Sequence, residues 1–372
     1  MEKERLEGEA GLDLDQKNSS AIYPDVKVRI EKAQYSILHL QRLLCNRGEL
    51  IINPDFQRNQ VWNNKQSSEL IESILMGIPI PMMYLFETKE GKKQVVDGRQ
   101  RITAIVDFLN EKYRLKDLKI LHQLNGYHFS ELESKLQGIF EVYQLSFYII
   151  QPPTPERVKY DIFDRVNRGG TRLNNQEMRN ALYQGKATEL IDDICNSPEF
   201  KTATNNGVSP KRMRDKYIVL RAIAFYWLYI GKLKEADGSK PIEYKSDIDD
   251  FLAKVMTFIN QSKEPDELEN TKSIFLNALS KINQLLGKDS FRFESASKYH
   301  RPINMPLFEC LIYLFLFDWK VKDEESVRLK IHAMKLEFDK SGCFNGNVDS
   351  TNSVNYRYTS INRLLSELKN KQ

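Results

Sequence analysis

The chain reads as an α+β protein in two parts: a mixed α/β N-terminal domain followed by an all-helical domain. Three observations predict this. Between residues 81 and 109, two short apolar runs separated by a turn lead into a helical stripe. A proline-rich boundary, Gln151-Pro-Pro-Thr-Pro, comes next. Beyond Pro155 the apolar spacing is that of helices alone. With 372 residues and 41% hydrophobic content, each part can bury a core of its own.

The elements follow in order. Residues 1–27 are polar and read as a flexible lead. Residues 35–52, YSILHLQRLLCNRGELII, read as a short strand, a helix and a second strand. Leu70, Ile71, Ile74 and Leu75 recur at helical spacing, and Gly77 and Pro79 end that helix. Residues 81–86 and 93–96 are strands around a Gly91-Lys92 turn. Ile102, Ile105, Val106 and Leu109 form the inner stripe of the next helix. Residues 147–150, FYII, close the α/β domain, which runs over residues 28–150. The helical domain, residues 151–372, opens with Val158, Ile162, Phe163 and Val166 on one face and a stop at Gly169-Gly170. Asn174 followed three residues later by Glu177 makes a capping box. Helices are expected near 211–231, 247–260, 271–286, 303–319, 323–339 and 358–370.

Composition narrows the function classes. The formal net charge is only +4, so any nucleic-acid footprint must be local. Cys45, Cys195, Cys310 and Cys343 stand singly without a CxxC pair, which speaks for a reduced chain and against a structural zinc site. The first twenty residues lack the apolar core of a secretory signal. The longest apolar run, residues 307–317, is too short to span a bilayer. A cytoplasmic protein with no membrane partner is expected.

Three stretches carry chemistry. In QVVDGRQRITAIVDFL, residues 94–109, a strand passes through a glycine turn into a helix, and main-chain N–H groups at a helix start attract anions. Arg99 and Arg101 add forked, permanently charged donors. Asp97 suits Mg²⁺, an attacking water or the helix cap. In NPDFQRNQVW, residues 53–62, Gln57 and Arg58 lie between Phe56 and Trp62. In FDRVNRGGTRLNNQEMRN, residues 163–180, Arg165, Asn167, Arg168, Arg172 and Arg179 surround two glycines that allow a backbone close to a ligand. The densest basic cluster is SPKRMRDKYIVLR, with Lys211, Arg212, Arg214, Lys216 and Arg221; as a DNA-facing stripe it would contact phosphates without regard to sequence.

Taken together, the first three stretches resemble the N-terminal domain of the GmrSD-type restriction family, whose fold is similar to the ParB and sulfiredoxin nucleotide-binding domain. The family's Phe-Gln-Arg with a following Trp is Phe56-Gln57-Arg58 and Trp62. Its Asp-Gly-Gln-Gln-Arg box is Asp97-Gly98-Arg99-Gln100-Arg101. Its Arg-x-Asn-x-Gly-Gly loop and Leu-Asn-x-Gln-Glu-x-Arg-Asn run are residues 165–170 and 173–180. The helical remainder also looks like that family, so the resemblance covers most of residues 35–370.

The resemblance implies binding or hydrolysis of a nucleoside triphosphate with Mg²⁺, coupled to restriction of modified DNA in anti-phage defence. Asp97, Gln100 and Arg101 would be catalytic, with Asp97 on the metal. Gln57, Arg58, Gly98, Arg99, Arg165, Asn167, Gly169 and Gly170 would line the nucleotide site, and Lys211, Arg212 and Arg214 would face DNA. Arg99 replaces the family's first Gln, which leaves phosphate binding intact and puts hydrolysis in question. The alternatives are a nucleotide-gated DNA sensor or clamp without turnover, and a nickase that uses the box itself. A separate HNH-type nuclease subunit and a second copy of the chain are the protein partners the resemblance brings in. Within this chain His122, His128, His300 and His332 show no His-Asn-His spacing, and SDIDDFLAK, residues 246–254, reads as an amphipathic helix rather than a nuclease centre.

Overall fold

The computed structural model describes residues 6–8, 28–52, 62–88, 91–152, 154, 162, 165–166, 174–235, 238, 240–295, 299–319 and 323–370. It divides into two compact units, Ala21–Arg172 and Met1–Ser20 with Leu173–Gln372. The division falls at residue 172, some way beyond the proline run at 151–155.

The first unit is mixed α/β. In chain order it holds β1 (Arg29–Ser36), α1 (Ile37–Gln41), β2 (Leu50–Ile51), α2 (Asn64–Leu75), β3 (Met83–Glu87), β4 (Lys93–Asp97), α3 (Arg99–Leu109), α4 (Ser134–Val142) and β5 (Gln144–Gln151). The sheet order is β1-β5-β3-β4-β2. Strand β5 pairs antiparallel with β1 and parallel with β3, and β3 pairs antiparallel with β4. Alternation along the strands sends Met83, Leu85, Leu145, Phe147 and Ile149 into one core with Ile102, Ile105 and Phe108 of α3. The Phe108 ring meets Phe129 and Phe140 edge-on. Asn63 and Gln66 make a reciprocal cap for α2.

The connection after α3 is tied down by polar contacts. Tyr113 gives its hydroxyl hydrogen to the Ala104 carbonyl at 2.9 Å, and the Lys116 N–H donates to Ser68 Oγ at 3.0 Å. Glu72, buried in α2, accepts the N–H groups of Lys119, Ile120 and Leu121 at 3.3, 2.8 and 2.8 Å.

The second unit's regular elements, among the described residues, are helices: α5 (Asn175–Leu182), α6 (Lys186–Asn196), α7 (Pro198–Ala203), α8 (Arg214–Tyr229), α9 (Ile248–Gln261), α10 (Pro265–Leu286), α11 (Met305–Phe315), α12 (Glu324–Lys340) and α13 (Thr351–Asn370). No described helix is long and apolar enough to cross a membrane. Residues 246–254 do enter an amphipathic helix: Asp247 caps α9, and Ile248, Phe251, Leu252 and Val255 are buried.

Two details depart from the sequence expectation. Residues 6–8, expected within a flexible lead, are packed: Leu6 is buried, the Glu7 N–H donates to the Ile303 carbonyl at 2.8 Å, and Arg301 pairs with the Glu7 carboxylate. The helices α4, α6 and α7 were not anticipated, although Ala187, Leu190, Ile191 and Ile194 stripe α6 at helical spacing.

Candidate functional site

The Asp-Gly-Arg-Gln-Arg box lies where β4 hands over to α3. Gly98 makes the handover with a φ of +98°, a backbone that L side chains avoid. A Cβ at this position would also overlap the fully buried Met83 side chain. The Ile102 N–H donates to the Gly98 carbonyl at 2.8 Å and closes the first turn of α3. Gly98 offers that turn no side-chain cap, so the helix presents its positive end beside Asp97. Asp97 is the last residue of β4 and not the cap, which removes the capping role from its choices.

Opposite Asp97 in the ladder is Tyr84, next to an irregular step between Tyr84 and Leu85. Bulges of this kind re-aim side chains at the edge of a site. Arg101, one turn into α3, donates through Nη2 to Asp97 Oδ2 at 2.6 Å and through Nη1 to the Pro81 carbonyl at 2.5 Å. Its guanidinium is thus shared between the chain leading into β3 and the end of β4. Asp97 Oδ1 takes no hydrogen bond among the described residues. Gln100 accepts the Trp62 N–H at 3.3 Å, which ties the start of α2 to the start of α3. Arg99 is half-buried at the same turn.

The structure therefore brings Asp97, Gly98, Arg99, Gln100 and Arg101 together with Trp62. Arg165 lies in helix and is exposed. Gln57, Arg58, Asn167, Gly169 and Gly170 lie outside the described residues.

In the second unit, the run after the loop is structural. Asn174 and Glu177 cap α5 reciprocally, and Asn174 also donates to the Arg212 carbonyl at 2.7 Å. Arg179 is fully buried, pairs with Asp249 and donates to Gln176 Oε1 at 2.5 Å. Burial pushes the Asp249 carboxyl up to about 6, against the pull of Arg179. The basic cluster does not form one face. Arg212 sits in a left-handed backbone conformation and pairs with Glu177 at 3.5 Å. Lys216 pairs with Asp192 at 2.5 Å. Arg221 is fully buried between Glu309 and Asp349, with Arg357 on the far side of Glu309. Lys211 and Arg214 flank that turn, Lys211 exposed and Arg214 half-buried.

No group of three His, Cys, Asp or Glu side chains among the described residues could cage a metal ion. A single carboxylate still suits Mg²⁺, which keeps waters and takes phosphate oxygens alongside one or two protein ligands.

Residues 40–184 match the family model described as the GmrSD restriction endonuclease, N-terminal domain. The match spans all three boxes. No curated protein and no solved structure gives a match.

Proposed function

We propose that residues 40–184, similar to a GmrSD-type N-terminal domain, belong to a DNA-restriction component that binds a nucleoside triphosphate at the β4–α3 turn. One observation carries this reading above the others: an oriented carboxylate, Asp97, held by Arg101 beside a helix start reached through Gly98. The sheet unit is then a nucleotide-binding domain of the ParB and sulfiredoxin type. The helix start and Arg99 face the phosphates. Asp97 would hold Mg²⁺ or order a water, and Gln100 fixes the turn through Trp62. Bound Mg²⁺ would neutralise phosphate charge, and phosphoryl transfer asks little more of a protein than positioning and charge.

Melting the full chain with a panel of nucleotides, with and without Mg²⁺, tests binding, because a ligand that binds only the folded form raises the midpoint. Phosphate release with plain or modified DNA tests turnover. No shift with any nucleotide would end the proposal. A second reading, a nucleotide-gated DNA clamp, is favoured by Arg99, which replaces a neutral amide by a cation that binds phosphate without aiding attack. A midpoint shift without phosphate release, lost in Arg99→Gln, would select it.

A further inference from the structure

We propose that the loop joining α3 to α4 is a DNA-backbone groove that feeds the β4–α3 turn; the partner's identity rests on the restriction reading above. The loop begins Lys112-Tyr113-Arg114-Leu115-Lys116. Exposure alternates along it. Leu115 is 1% exposed and Tyr113 turns its hydroxyl inward to Ala104, whereas Lys112, Arg114 and Lys116 all lie on the surface. The three cations are thus the exposed members of an alternating run. They line a shallow, open depression of about 800 Å³, faced by Asn125, Gly126 and His128.

The groove is held open by main-chain bonds. The Leu115 N–H donates to the Tyr127 carbonyl at 3.0 Å, and the Gly126 N–H donates back to Leu115 at 2.8 Å. The cations are therefore mounted on a fixed frame, and their present partners are weak competitors. Lys112 pairs with the partly exposed Asp107 at 2.8 Å, and Arg114 pairs with Glu131 at 3.0 Å and donates to the Gly126 carbonyl at 2.6 Å; ion pairs this close to solvent contribute little. Lys116 makes no ion pair among the described residues. Asp117 is the one carboxylate among the residues that line the cavity.

Exposed cations at alternate residues along one cavity suit a chain of phosphates, where a compact nucleotide would need them to converge on one point. A backbone strand meets this condition and so does no small anion. Location supports the same occupant. Asn64, which also lines the cavity, starts α2 two residues after Trp62, whose N–H is held by Gln100 of the box. That bond joins the start of α2, part of the groove wall, to the start of α3, where the box lies.

The test is a DNA titration of the full chain by fluorescence anisotropy across a salt series. It compares wild type, Lys112→Gln/Arg114→Gln/Lys116→Gln, and Lys211→Gln/Arg212→Gln/Arg214→Gln. Loss of three duplex phosphate contacts should flatten the slope of log Kobs against log salt by about 2.7. The groove variant should melt as wild type does and keep its nucleotide-induced midpoint shift. An unchanged slope in a groove variant of wild-type melting temperature overturns the groove and leaves the restriction reading standing. Wild type that binds nucleotide but no DNA at any salt overturns both. Polyglutamate held as tightly as DNA, and lost equally in the variant, marks a general polyanion surface and also overturns the proposal.

Discussion

Arg101 Nη2 donates to Asp97 Oδ2 at 2.6 Å across the glycine that turns β4 into α3. The same guanidinium reaches the Pro81 carbonyl, so the arginine bridges the start of β3 and the end of β4 while holding one carboxylate oxygen. A planar fork reaches the two acceptors from separate nitrogens, whereas an ammonium would have to reach both from a single point. Arg101→Lys should therefore lose Mg²⁺-dependent nucleotide affinity by tenfold or more, about 1.4 kcal/mol, with little change in Mg²⁺-free binding. Asp97→Asn should abolish the Mg²⁺ dependence and leave Mg²⁺-free binding as tight or tighter, because a negative charge beside the phosphates is gone. Calorimetric titration with and without Mg²⁺ checks both; an Arg101→Lys variant that binds like wild type would mean the pair does not position Asp97.

Gly98 answers to two constraints at once. Its φ of +98° strains any side chain by roughly 1–3 kcal/mol, and a Cβ there meets Met83. Gly98→Ala should lower the melting temperature well beyond a surface substitution. Adding Met83→Ala relieves the overlap but not the backbone strain, so the double variant should be more stable than the sum of the two single losses predicts. Additive losses would show that the Met83 contact does not limit this turn.

Local pattern made the β4–α3 turn legible, because the strand alternation, the glycine and the helix stripe all lie within residues 93–109. The Asp97–Arg101 pair is a one-turn relationship and could be read from spacing, but the Pro81 carbonyl stands twenty residues away and could not. From sequence, Arg179 and Arg221 read as members of basic clusters, because the carboxylates that pair with them are remote in the chain. Their partners, Asp249 and Glu309, are 70 and 88 residues away. Only packing reveals such pairs. The groove over residues 112–116 was legible in principle as alternating cations and apolar residues, a short period-two signal between two helices.

Glu72 provides a test by pH. Burial pushes its carboxyl up, but the N–H groups of Leu121, Ile120 and Lys119 together pull it down further, below the ordinary value. A carboxyl lowered by folding adds stability above its unfolded value of 4.5 and loses it as pH falls through the lowered folded value. Part of the acid-induced drop in melting temperature below about pH 4.5 should therefore vanish in Glu72→Gln. At neutral pH that variant should be less stable by about 1–3 kcal/mol, since an amide cannot accept all three donors. Equal acid slopes for the two proteins would show that Glu72 is not the group being titrated.

Arg179 belongs to the run that resembles the family's Leu-Asn-x-Gln-Glu-x-Arg-Asn, yet its side chain is fully buried and spent on Asp249 and Gln176. A buried pair of this kind costs desolvation of both ions, and removing one partner leaves the other charged and alone. Arg179→Met and Asp249→Leu should each destabilise by about 3–5 kcal/mol, and the double variant should recover most of that loss, because two apolar groups can fill the space without a net charge. The pH sign is opposite to that of Glu72. Because burial raises the Asp249 carboxyl to about 6, its contribution favours folding at low pH and is lost as pH rises through that value, a trend absent in the double variant. The functional readout separates architecture from ligand contact: nucleotide affinity of the folded double variant should stay near wild type. A tenfold loss of affinity at wild-type melting temperature would instead place Arg179 at the ligand.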